Sequence, residues 1–249
     1  MKKILIFNWK ANPASLGEAS NLANILNHSF SALGDKYDIA VAVPSLYLIP
    51  LTQIMNKGIR LMAQSVGTAD VGPHTGGIAP LMLKENNLLY SLLGHSEDRK
   101  QNKLVDSDIA GLLKANLQNG VKTVLCVGEN TKSDNSFEEI REQIDEIFLK
   151  AVTGYSAPEI YNNVAVAYEP LWAIGSKIDI DLNYVEKQIS SLRNYLKSKT
   201  QDQLDILYGG SVNKINIKAL LDLSVLSGVL IGERSSQKEW LEDFLQSMI

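Results

Sequence analysis

The chain has 249 residues, 45% hydrophobic and 21% charged, with a net charge of −4; no Pro/Ser-rich linker or charge run divides it, so it reads as one domain over residues 1–249. It has no basic stripe, which argues against nucleic acid as a partner, and no run approaches the ~18 apolar residues of a membrane span. Cys126 is the sole cysteine, which excludes an intrachain disulfide and fits a reducing, cytoplasmic location.

The start, MKKILIFNWK, has a short apolar run without an h-region or small-residue cleavage site. It reads as a strand over 3–7, not a signal peptide. Residues 15–33 place apolar side chains at 19, 22, 23, 26, 30 and 33, one face of a helix. Strand-like runs follow at 39–43, 59–63, 89–93 and 122–127. The segment 137–152 is helical by its apolar positions 137, 140, 144, 147, 148 and 151, with Ser136 and Glu139 as a capping box. A strand at 164–168 precedes a helix over 184–196, with apolar residues at 185, 189, 192 and 196. Strands at 205–208 and 228–231 and a short amphipathic segment, 238–248, complete the chain.

Strand–helix alternation repeated eight times, at roughly 30 residues per unit, implies an α/β fold with a parallel sheet. Eight units in this length match a single closed (β/α)8 barrel. The rival, an open doubly wound sheet, would carry a glycine-rich fingerprint after its first strand. Here that strand is followed by Asn-Trp-Lys.

In a barrel, the loops after the strands gather on one face. Asn8 and Lys10 then meet His95, Ser96 and Glu97, Glu169, Ser211 and Gly232. Glu169 follows a small apolar strand, VAVAY, and precedes Pro170. A carboxylate there is costly as a structural element and useful as a base. A lone acid in such a place can also be a buried carboxylate paired to a basic neighbour. Most lysines lie on the surface, and most lone histidines are hydrogen-bonded core or surface residues, so Lys10 and His95 gain weight only from their strand-end positions. Gly209 and Gly210 with Ser211, and Gly232, let backbone N–H groups approach an anion, although a lone Gly-Gly pair is more often a turn. Cys126 reads as a small packing residue and Glu129 as a structural acid near the rim.

Six motifs in order, NWKAN, LLGHSE, VLCVGE, AYEPLWAIG, YGGSV and VLIG, resemble the triosephosphate isomerase family and span the chain. The resemblance implies a (β/α)8 barrel that interconverts dihydroxyacetone phosphate and D-glyceraldehyde 3-phosphate, with places in glycolysis and gluconeogenesis. It implies Glu169 as the base and His95 as a neutral electrophile, a role the family documents and the spacing alone does not give. It implies Lys10 as the cation that stabilises an enediolate, Asn8 as its orienting neighbour, Glu97 as its ion-pair partner, and Ser96 as a group that orients Glu169. Gly175, Ser211, Gly232 and Glu233 become the phosphate-binding set. No cofactor or metal is implied, and His28, His74 and His95 lack ligand-like spacing. The expected partners are the triose phosphate substrate and a second copy of the chain in a homodimer.

The chain departs from the family pattern in four places. The lid reads AIGSKIDI where the family has AIGTGK-T-A. Glu233 replaces the second glycine after the eighth strand, and its carboxylate is expected to turn from the phosphate toward Arg234 or solvent. The third loop reads VGPHTGGIA: Thr75 is kept, Gly77 replaces a glutamate, and Pro73 and His74 are unusual. Asp98 replaces the first arginine of an Arg-Arg pair, leaving Arg99. Another sugar-phosphate barrel enzyme would share the phosphate cradle without the full constellation of Asn8, Lys10, His95 and Glu169. An inactive phosphate-binding barrel would find its support in Glu233 and the altered lid.

Overall fold

A computed structural model describes residues 2–133, 136–173, 180–200 and 203–249, with only the backbone for Glu233. The strands are β1 (Lys3–Asn8), β2 (Tyr37–Val43), β3 (Arg60–Ala63), β4 (Tyr90–Leu93), β5 (Lys122–Val127), β6 (Val164–Tyr168), β7 (Asp205–Tyr208) and β8 (Gly228–Ile231). They pair in parallel in sequence order, and β8 closes onto β1 through Ile4↔Gly228 to Phe7↔Ile231. The fold is therefore the closed (β/α)8 barrel that the alternation implied.

The outer helices are α1 (Leu16–Leu33), α2 (Ser45–Thr52), α3 (Pro80–Glu85), α4 (Ser96–Asn102), α5 (Asp106–Gln118), α6 (Ser136–Gln143), α7 (Ala157–Asn163), α8 (Leu182–Thr200), α9 (Ile217–Asp222) and α10 (Lys238–Met248). Ser15 caps α1 by accepting the Glu18 N–H, and Ala19, Leu22, Ala23, Leu26 and Leu33 are its buried face. In α8 the apolar repeat 185, 189, 192 and 196 is buried as its period requires. Helix α10 packs Phe244 edge-on against Phe7 of β1, with ring centroids 6.0 Å apart. None of the described helices is long and apolar enough to cross a membrane.

The segment expected as one helix over 137–152 differs. Helix α6 passes into a π-helical turn, Ile144–Leu149, and the expected positions Ile140, Ile144, Ile147, Phe148 and Ala151 are buried. The capping box expected from Ser136 and Glu139 is replaced by other bonds. Glu139 accepts the Asn130 backbone N–H (3.0 Å) and side-chain amide (3.1 Å), and the Ser136 hydroxyl accepts the Ser133 N–H (2.7 Å). The loop after β5 folds back over the helix start and brings these donors within reach.

The strand residues alternate between two layers. Leu5, Phe7, Val166, Tyr168, Ile206 and Tyr208 face the helices. Ile6, Met62, Val124, Ala167, Leu207 and Leu230 fill the barrel interior. One further step at the strand period of two reaches Asn8, Gln64, Glu169, Gly209 and Gly232. The mouth of the barrel is thus the next inward ring above an apolar plug.

Candidate active site

Asn8 ends β1 nearly buried, and its Oδ1 accepts the Lys10 N–H at 3.0 Å. Lys10 sits at φ 53°, an uncommon conformation for a lysine. Gln64 helps to hold it there, as its Nε2 donates to the Lys10 carbonyl (2.7 Å), to the Ala42 carbonyl (3.1 Å) and to Asn8 Oδ1 (3.3 Å). No motif in the sequence points to Gln64. Its one signal is register: it stands two residues past the inward-facing Met62, on the ring that Asn8 and Glu169 share.

Lys10 Nζ lies 2.5 Å from Glu97 Oε1, with side-chain exposures of 18% and 53%. The ammonium is therefore sheltered at the mouth while its counter-ion reaches solvent. A cavity of about 520 Å³ opens here, lined by Asn8, Lys10, Gln64, His95 and Glu97 among others.

His95 precedes α4 as its N-cap, after Gly94 turns the chain at φ 74°. Its Nδ1 accepts the Glu97 N–H at 3.2 Å. An accepting Nδ1 carries no proton, so the ring's proton belongs on Nε2. That Nε2 is 3.5 Å from Glu169 Oε1. The Ser96 N–H, next along the same turn, donates to Glu169 Oε2 at 3.2 Å. Glu169 is 1% exposed, and its Oε1 has no hydrogen-bond partner among the described residues. A buried carboxylate oxygen without a partner is unusual, and it leaves a lone pair available for a proton.

Two glycines make room for this residue, one for its side chain and one for its backbone. A Cβ at Gly209 would lie 2.9 Å from Glu169 Cγ, and a Cβ at Gly128 would lie 1.8 Å from the Glu169 carbonyl oxygen. Cys126, one layer below, is buried, and burial together with the Glu169 charge pushes its thiol well up. It stays a neutral packing group.

Gly232 faces Lys10: a Cβ there would lie 3.6 Å from Lys10 Cε. The turn Glu233–Ser236 follows, tied back by Ser235, whose hydroxyl donates to the Asn8 carbonyl at 3.3 Å. The Ser211 hydroxyl donates to the Ala173 carbonyl at 2.8 Å. The structure thus sets Gly232 beside Lys10 and turns Ser211 toward the segment before the lid. Gly175, with the rest of 174–179, lies outside the described residues, as does the side chain of Glu233. The expectations for the altered lid and for the outward Glu233 carboxylate therefore lie outside them too.

Glu129 is more than a rim acid. It is fully buried, and its Oε1 accepts from Tyr168 (2.8 Å), Trp172 (2.8 Å) and Tyr184 (3.1 Å). Trp172 precedes and Tyr184 follows residues 174–179 in the chain, and one carboxylate bonds both of them. Burial and the Glu129 charge push the Tyr168 hydroxyl far up, which keeps it a donor. The third loop carries Thr75 in an exposed stretch, 71–76, and is closed at its base by the Gly67 N–H to the Ile78 carbonyl (3.0 Å). Asp98 accepts from the Ser65 hydroxyl (2.6 Å), and Arg99 pairs with Asp106 (2.5 Å).

Comparison with known proteins gives this geometry a family. The family model described as triosephosphate isomerase matches residues 3–248. A triosephosphate isomerase of Coprinopsis cinerea is 33% identical over 239 residues, covering 94% of each chain. One of Wigglesworthia glossinidia brevipalpis is 33% identical over 254 residues, covering 98% of this chain and 94% of its own. One of Blochmanniella pennsylvanica is 34% identical over 240 residues, covering 94% and 92%. With six motifs at the ends of β1 and β4 to β8 and a match from β1 to α10, the chain belongs to the triosephosphate isomerase family.

Proposed function

We propose that the protein interconverts dihydroxyacetone phosphate and D-glyceraldehyde 3-phosphate by moving one proton between adjacent carbons. One observation carries the reading most. The buried Glu169 Oε1, without a hydrogen-bond partner among the described residues, stands 3.5 Å from a histidine nitrogen that bears a proton, at the barrel mouth that also holds Lys10. Glu169 takes the proton from the carbon bearing the hydroxyl, beside the carbonyl, and the electron pair moves onto the carbonyl oxygen. His95 Nε2–H and the Lys10 ammonium stabilise the resulting enediolate. Glu169 returns the proton to the neighbouring carbon, and the hydroxyl proton passes between the two oxygens by way of His95. Atoms and electrons balance within the substrate, so the step consumes no oxidant or reductant. Gly175, Ser211, Gly232 and Glu233 form the phosphate cradle, and Asn8, Ser96 and Glu97 position the reacting groups. A coupled steady-state assay with either triose phosphate tests the reading. Folded protein without turnover would remove it.

Gln64 supports the Lys10 backbone at its uncommon φ. Gln64→Leu, which keeps bulk and loses the donors, is expected to lower kcat/KM about tenfold or more, since small misplacements of a catalytic group are expensive. Wild-type kcat/KM in a folded variant would show that Asn8 alone holds Lys10.

The protein acts in the cytoplasm as a homodimer, in this reading. Thr75 sits on an exposed loop, and large apolar side chains stand exposed close to it in sequence, Val71 (50%) and Met82 (47%), and on α2, Leu46 (78%). Docking a partner's loop would cover such groups and stiffen the segment around Lys10 and His95. Light scattering at micromolar concentration should give a dimer mass, and activity should fall on dilution below its dissociation constant. A fully active monomer would refute this.

A further inference from the structure

We propose that Gln143 is a positioning residue, holding Glu169 through Gly128; this rests on the isomerase reading above. The Gln143 side-chain amide makes two hydrogen bonds to one residue. Its Oε1 accepts the Gly128 N–H at 3.1 Å, and its Nε2 donates to the Gly128 carbonyl at 2.7 Å. That paired pattern is what a neighbouring strand would supply.

Gly128 needs it because its strand has lost a neighbour there. On the β6 side, the Val127 and Glu129 carbonyls accept the N–H groups of Glu169 (2.8 Å) and Leu171 (3.0 Å). The Gly128 groups between them point the other way, toward β4. The β4 ladder has already ended: it runs from Tyr90↔Lys122 to Leu93↔Leu125, and the chain then turns away at Gly94 into α4. The Gln143 amide takes the place of the next β4 peptide.

The link from Gly128 to Glu169 is direct. The Gly128 backbone lies so close that a Cβ would meet the Glu169 carbonyl oxygen at 1.8 Å and its carbonyl carbon at 2.6 Å. No side chain stands between them to absorb a shift. A cavity of about 160 Å³, lined by Gln143, Gly128, Cys126, Arg99 and Glu169, gives the end of β5 room to move if it is released. Among the described residues the carboxylate is held by the Ser96 N–H on Oε2 with the Cys126 thiol beside it, so its backbone sets much of its position. Gln143 is the last residue of α6 before the π-helical turn Ile144–Leu149. Such turns change a helix's register locally and are frequent at functional sites.

The test measures kcat and KM for Gln143→Leu and Gln143→Glu, and for Gln143→Leu combined with Glu169→Asp. Gln143→Leu should lower kcat about tenfold or more with KM changed less than about twofold. In the Glu169→Asp background, where the carboxylate is already withdrawn, the further loss should be under about threefold. Gln143→Glu keeps the acceptor for the Gly128 N–H and sets a carboxylate oxygen against the Gly128 carbonyl. Only its protonated form can donate there, so the ratio of its kcat to wild type should rise as the pH falls. Equal losses in both Glu169 backgrounds, unchanged kcat, or a pH-independent ratio would overturn the role. If Gln143→Leu does not fold, the pH ratio of Gln143→Glu decides. Inactive but folded wild type would instead remove the isomerase reading, which separates the two failures.

Discussion

Glu169→Gln is expected to lower kcat by two to four powers of ten or more while the protein stays folded. The amide keeps the size and shape of the side chain and removes its capacity to take a proton. General-base contributions alone are about 10²–10⁴-fold. The structure sharpens the expectation about folding. Among the described residues Oε2 accepts the Ser96 N–H and Oε1 has no partner at normal hydrogen-bond distance, with the Cys126 thiol a weak donor beside the carboxylate, so an amide disturbs little of the local bonding. The neighbouring glycines, 128 and 209, fit the Glu169 backbone and Cγ, which the substitution leaves alone. KM should therefore change little, and the unfolding midpoint should move by a few degrees at most. Turnover near wild type in the purified variant would end the assignment of Glu169 as the base.

Lys10→Met should damage both binding and turnover, by about 10²-fold or more in kcat/KM. Methionine matches the length of the lysine stem and carries no charge. The ammonium is 18% exposed and stands beside Gly232, so its charge acts close to both the expected enediolate and the phosphate. The loss of its pair with Glu97 is a small matter for stability. Glu97 is 53% exposed and regains water, and exposed ion pairs contribute about 0–1 kcal/mol. Activity and stability thus separate in this variant: a large fall in kcat/KM with a nearly unchanged unfolding midpoint. Normal kinetics in a folded Lys10→Met protein would show that the cation does not act on the substrate.

The eight strands are legible in the residues because each is a short β-branched or small apolar run between helical repeats. Four of them, at 122–127, 164–168, 205–208 and 228–231, have the same bounds in sequence and structure. The residues that end them are legible too. A polar group or glycine after a buried strand breaks the apolar pattern, and barrel topology sends all such breaks to one face. Asn8, Lys10, His95 and Glu169 emerge from that reasoning together with a family resemblance in motif order.

Other features depend on tertiary packing. The π-helical turn after Gln143 has the same apolar spacing as an α-helix, so the period does not reveal it. Glu139 has an equally good local use in a capping box, and the fold-back of the β5 loop gives it Asn130 instead. Glu129 resembles any rim acid until β6, the turn Leu171–Ala173 and α8 bring Tyr168, Trp172 and Tyr184 onto one of its oxygens. Gln64 and Gln143 are ordinary amides in the sequence. Their work is to satisfy backbone groups that the end of a strand leaves open: the Lys10 carbonyl in one case, both groups of Gly128 in the other. Local sequence determines which strands form and where they end. Which backbone groups then lack a neighbour, and which distant side chain reaches them, is decided only when the barrel closes, because those partners lie far apart in the chain.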